Sequence, residues 1–158
     1  MHCDHYHIAS RLIYLAYLSL TGYYIQSIVL DIFYFNQIFG NLNCIQSSAF
    51  LDLLGPIYNQ RIDAGLVIGL RAEAKHCNAR GLVHGGVLSS LADVALGYNS
   101  AFAEEPPTPL VTSSLTIDYA GTAKLGDWIS ITTDVQKVGK SLAFTNCYFV
   151  VESVRIAR

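Results

Sequence analysis

Hydrophobic positions change their period several times along this chain, and each change marks an element. Between residues 85 and 101, Val87, Leu88, Leu91, Val94, Ala95 and Tyr98 recur at helical spacing, which predicts one long helix. Before it, Leu66, Ile68, Leu70 and Ala72 alternate with Val67, Gly69, Arg71 and Glu73, which predicts a half-buried strand over 65–74. Residues 47–55 read as a short helix, with Ser47 or Ser48 as its cap and Gly55-Pro56 as its end. After the long helix, Glu104–Pro109 contains three prolines and predicts a loop, because proline has no backbone donor. Three runs then predict strands. In 110–119, Val111, Ser113, Leu115, Ile117 and Tyr119 share a face; 128–138 alternates less cleanly; 141–151 is apolar or aromatic on both sides and so belongs at a sheet centre or an interface. Gly121, Gly126 and Gly139 punctuate these runs. One long helix with several antiparallel strands predicts an α+β domain whose sheet wraps the helix.

Composition shifts near residue 46. The preceding part holds six of the ten tyrosines and neither Lys nor Glu. Residues 12–30 carry no charge over nineteen positions, enough to cross a bilayer. Three readings compete: a membrane anchor, an extra helix or hairpin packed on the domain, or a stretch lying upstream of the native start. The many tyrosine tips count against a span. The expected organisation is therefore a hydrophobic extension over 1–46 and one domain over 47–158. A cytoplasmic location is expected, with membrane anchoring as the alternative.

The net charge of −2 comes without any basic run, which excludes a nucleic-acid surface. Cys3, Cys44, Cys77 and Cys147 show no paired spacing, so no disulfide framework is expected. Cys77 could be a nucleophile or a small buried residue, and nothing around it marks an activated thiol. Met1–His7 has the composition of a metal clip but no second ligand set, so no metal and no cofactor is expected.

The chemistry concentrates between Asn78 and Asp93. Gly85 and Gly86 open the long helix, where backbone N–H groups lack internal partners and the helix dipole adds positive charge. Such a start suits an oxygen that gains negative charge in a tetrahedral transition state. Gly86, Ser89 and Asp93 share one helix face. Asp93 lies among Leu91, Ala92 and Val94, and a carboxylate in apolar company is either paired or functional. It could act as general base, as nucleophile, or as a partner for Ser89 or Ser90. His84 could orient the helix entry or act as a base, and the positive helix end favours the supporting role. Asn78 could close a turn before Ala79-Arg80-Gly81 or offer its amide N–H to a carbonyl.

An Asn, then His-Gly-Gly, then an acid on the following helix resembles the hotdog-fold acyl-coenzyme A thioesterases of the phenylacetic-acid-degradation (PaaI) type. The matching positions are Asn78, His84, Gly85, Gly86 and Asp93. The resemblance continues through 110–119, Ala123–Asp127 and Lys137–Phe144, and covers roughly residues 47–158. It implies hydrolysis of an acyl-coenzyme A, with coenzyme A as part of the substrate. It implies that Gly85 N–H polarises the carbonyl, that Asp93 drives attack, and that Thr112 helps to place water. It puts Gly86, Ser89, Lys137, Gly139, Lys140 and Ser141 against substrate or coenzyme A, although a turn with solvated lysines is the plain alternative for the last four. The acid and the Asn–Gly pair are implied to come from different subunits of a homodimer or of a dimer-of-dimers tetramer. The family pattern runs on past Arg155–Arg158 into a last strand, so this chain is expected to leave that strand truncated and a sheet edge open. A non-catalytic acyl-coenzyme A binding module and a dehydratase acting on 3-hydroxyacyl thioesters are the competing functions.

Overall fold

In a computed structural model of the protein, residues 43–45 and 48–158 are described. The chain divides into two units, Met1–Cys44 and Ile45–Arg158. Asn43–Cys44 is a two-residue strand, β1, at the described end of the first unit. The apolar run 12–30 and the His-rich start lie outside the described residues. No helix among the described residues is long and apolar enough to cross a membrane.

The second unit begins with α1 (Ala49–Leu54), whose cap Ser48 accepts from the Leu51 N–H. Gly55 ends it, its N–H returning to the Leu51 carbonyl at 2.7 Å. Strands β2 (Ile57–Ile62), β3 (Gly65–Arg71), β4 (Trp128–Val138), β5 (Ala143–Val151) and β6 (Val154–Ala157) follow. They pair antiparallel in the order β2-β3-β4-β5-β6. The long helix α2 spans Gly85–Ala101, as its periodicity predicts. It packs on β3, β4 and β5. Leu88, Leu91, Ala92 and Ala95 meet Ile68, Leu70, Ile129, Ile131 and Phe149 in one core.

The uneven alternation of 128–138 has a local cause. Val135 pairs with Thr145 and Lys137 with Phe144, so Gln136 is an extra residue in β4. A bulge shifts the inside–outside phase by one position. β5 lies between β4 and β6, the central place expected of a strand apolar on both sides.

The segment 110–119 departs from expectation. Among the described residues only Tyr119 forms a bridge, to Ala157. Asp118 exchanges two backbone hydrogen bonds with Arg158, at 2.9 and 3.1 Å, and there the pairing stops. Leu110–Ile117 makes no backbone–backbone hydrogen bond among the described residues. Leu115 and Ile117 still pack on the core, while Val111 is 94% exposed. The inward alternation of a strand is therefore present without the ladder that defines one.

Asn99 fastens the helix to the sheet. Its Oδ1 accepts from Leu66 N at 2.7 Å, and its Nδ2 donates to Leu66 O at 3.0 Å and Ala95 O at 2.9 Å. Gly65, at φ +123°, makes room, because a Cβ there would run into the Asn99 oxygen. Asn99→Leu leaves both polar groups of Leu66 unpaired beside a buried position. It is expected to cost about 2–3 kcal/mol in chemical denaturation, and an unchanged midpoint would contradict this role.

Candidate active site

The approach to α2 is a tight loop built by Asn78. Its N–H donates to Leu82 O at 2.8 Å, and its Oδ1 accepts from Arg80 N at 2.9 Å and Leu82 N at 3.2 Å. Two backbone donors fix which end of the amide faces inward. The Nδ2 group has no partner among the described residues. Asn78 thus closes the turn with one end and keeps a donor with the other.

His76 supports this loop from beneath. It is 1% exposed, and its Nδ1 accepts from Glu73 N at 2.9 Å. Its Nε2 lies 2.7 Å from Leu54 O and therefore carries the proton. The backbone carbonyl of His76 accepts from His84 N at 2.9 Å. One buried residue so joins the end of α1 to the start of α2. Nothing in the spacing marks it, because its partners are backbone atoms.

His84 is the N-cap of α2, exposed, and makes no capping bond with its side chain. The Gly85 and Gly86 N–H groups have no partner among the described residues. The two glycines differ in why they are glycine. A Cβ at Gly85 would press on the Tyr119 ring at 3.1 Å, whereas one at Gly86 would meet nothing within 4 Å. Tyr119 donates to Gly85 O at 3.0 Å and lies 2.8 Å from Ser89 Oγ. Ser89 also donates to Gly85 O at 3.1 Å. This cluster braces the helix start, and it occupies the Ser89 hydroxyl that the resemblance assigns to substrate. Tyr119 was visible in sequence only as the last inward residue of a strand.

Asp93 and Thr112 come together: the Thr112 hydroxyl donates to Asp93 Oδ1. Asp93 is exposed in the single chain rather than sunk among its apolar neighbours. It sits on the helix face turned away from the sheet, because Leu91, Ala92 and Ala95 take the buried face. There it opens onto a pocket of about 580 Å³ between α1, α2 and Leu110–Thr112. Asn78, His84, Gly85 and Gly86 do not line that pocket. Seven or eight residues of helix separate Asp93 from the two glycines, about 10–12 Å along the axis. One thioester carbonyl cannot contact both ends of that span.

Lys137, Gly139, Lys140 and Ser141 lie exposed where β4 turns into β5, and Gly139 N closes the turn on Leu142 O at 2.9 Å. Neither lysine forms an ion pair among the described residues. Within one chain this is a hairpin tip with two available cations.

Comparison with known proteins shows what the chain is similar to. Residues 80–157 match the thioesterase superfamily family model. A Pseudomonas aeruginosa protein described as a candidate esterase is 50% identical over 102 residues, 64% of this chain and 76% of that protein. Human acyl-coenzyme A thioesterase 13 is 38% identical over 98 residues, 61% of this chain and 69% of that protein. The solved structure of the Escherichia coli PaaI protein, from the phenylacetic acid degradation operon, superposes with a TM-score of 0.62 at 26% identity. That match covers 70% of this chain and 79% of that one.

Cys77 and Cys147 are not activated. Burial pushes the Cys147 thiol up to about 11. Cys77 is raised first by burial and then by the negative charge of Asp127. A raised thiol pKa leaves little thiolate at neutral pH. Iodoacetamide labelling at pH 7.5, mapped by peptide, is therefore expected to be slower at both in folded than in denatured protein, and at least about tenfold slower at Cys147. Rapid labelling of Cys77 in the folded state would contradict this.

The fold, the Asn–His-Gly-Gly–Asp pattern leading into the long helix and these likenesses together place the chain in the thioesterase superfamily, as a hotdog-fold thioester hydrolase of the PaaI type.

Proposed function

We propose that the protein hydrolyses acyl-coenzyme A to a carboxylic acid and free coenzyme A, at sites shared between two copies of the chain. The observation that carries this is the separation along α2. Asp93 with Thr112 forms one half-site. The helix start with Asn78 forms the other, about 10–12 Å away on the same helix. Two copies set side by side in opposite sense bring each Asp93 to the other's helix start, as a two-fold arrangement requires. The backbone of Leu110–Ile117, unpaired among the described residues, supports such an assembly, since an open edge pairs readily with its like.

In this reading the Gly85 and Gly86 N–H groups, with Asn78 Nδ2, hold the thioester oxygen as it gains charge. Asp93 acts as general base. Thr112 occupies Oδ1, and Oδ2 takes the proton from water as the water oxygen bonds to the carbonyl carbon. Collapse of the tetrahedral intermediate breaks the carbon–sulfur bond; the leaving thiolate takes a proton from solvent and Asp93 gives its proton back to solvent, which restores the carboxylate. His84 supports the geometry of the helix entry. Lys137 and Lys140, with Gly139 and Ser141, offer cations and a turn to the coenzyme A phosphates.

Thiol release from a panel of acyl-coenzyme A thioesters tests this. Asp93→Ala is expected to lower kcat by about 10²–10⁴ with the fold intact. Unchanged release would sink the mechanism. Tight binding without release by folded wild-type protein would favour a binding module instead.

A further inference from the structure

Gly97 lies inside α2, where glycine weakens a helix relative to alanine. Nothing among the described residues accounts for it. Its φ is not in the left-handed region, and a Cβ built on it meets no atom of the described residues within 4 Å. The missing side chain preserves only space, and that space belongs to the pocket onto which Asp93 opens.

Asp93, Gly97 and Ala101 follow at four-residue steps and so form one line down the helix. Gly97 is about 6 Å, and Ala101 about 12 Å, along the axis from Asp93. Tyr98 and Phe102 stack with centroids 6.1 Å apart and help to wall the pocket. Leu110 and Val111 line it too, on the chain that brings Thr112 to Asp93. The pocket is therefore polar at the Asp93–Thr112 pair and mainly apolar elsewhere, with Ser48 and Ser90 its other polar residues. A thioester attacked at Asp93 must lead its acyl carbons away from that pair, and the apolar path runs over Gly97.

We propose that the acyl group lies across Gly97 and that this glycine sets the size of acyl group accepted. The inference rests on the thioester reading of Asp93. A two-carbon acyl group ends before Gly97; a longer one crosses it. A side chain at 97 blocks the second and spares the first.

The test uses the full chain and two non-hydrolysable thioether probes, the acetyl- and octanoyl-coenzyme A analogues, titrated calorimetrically. Gly97→Val is expected to weaken the octanoyl probe by at least about tenfold and the acetyl probe by less than about twofold. Gly97→Ala is expected to raise Tm, because no atom opposes the new Cβ, while weakening the octanoyl probe several-fold. Stability and affinity moving in opposite directions is the mark of a glycine kept for a ligand. Equal weakening of both probes, no weakening of either, or wild-type protein that binds neither would overturn the placement. So would dissociation of the Gly97→Ala assembly in light scattering, which would show that a second copy's helix needs the gap. Thiol release measured in parallel separates the two readings. Selective loss of the octanoyl probe without any wild-type release sinks hydrolysis and keeps the placement; release without selective loss sinks the placement alone.

Discussion

The rise of an α-helix, about 1.5 Å per residue, governs what α2 can do. Its first turn offers unpaired N–H groups and the positive end of a dipole, suited to a developing oxyanion. Its third turn presents Asp93, suited to activating water. The two functions sit on one rigid rod and so cannot converge on one atom within a chain. Every other element serves that rod. Leu88, Leu91, Ala92 and Ala95 seat it on the sheet, Asn99 pins its far end to the start of β3, and Tyr119 and His76 fix its near end.

The rest of the unit reads as the surface of something unfinished when taken alone. Leu110–Ile117 turns Leu115 and Ile117 inward yet leaves its backbone unpaired among the described residues. Phe144 and Val111 stand exposed on the same unit. Unpaired backbone and exposed apolar side chains are costly together and are relieved together by a second copy. The same association that completes the sheet would complete the site.

Much of this was legible in the sequence. The period of α2 is plain because its buried face is apolar from Leu88 to Ala95, and the cap at Ser48 and the strand from Gly65 follow from local chemistry. The slip in alternation at Gln136 showed as irregularity before its cause, a bulge, was known. Strand β2 was not foreseen, since Ile57-Tyr-Asn-Gln-Arg-Ile62 carries aliphatic residues only at its ends. Segment 110–119 had a strand's pattern but lacks a partner among the described residues along most of its length, and pairing is not encoded in the segment itself. The candidate residues Asn78, His84, Gly85, Gly86 and Asp93 stand out in the sequence by their company. His76 and Tyr119 did not, because each acts largely through backbone atoms that only the tertiary path brings near. Gly97 looked like one more small residue until the space beside it was seen.

The sharing of sites between copies is the central claim, and subunit complementation tests it most directly. Asp93→Ala removes the acid, and Gly86→Val puts a side chain at the helix start, where a Cβ meets no atom of the described residues within 4 Å. Each variant alone is expected to be inactive. Refolded together in equal amounts, they are expected to recover roughly a quarter of wild-type thiol release, since half the dimers are mixed and each mixed dimer holds one intact site. Mixtures that stay as inactive as their parents, while light scattering shows mixed dimers, would contradict the claim and put both halves of the chemistry back within one chain.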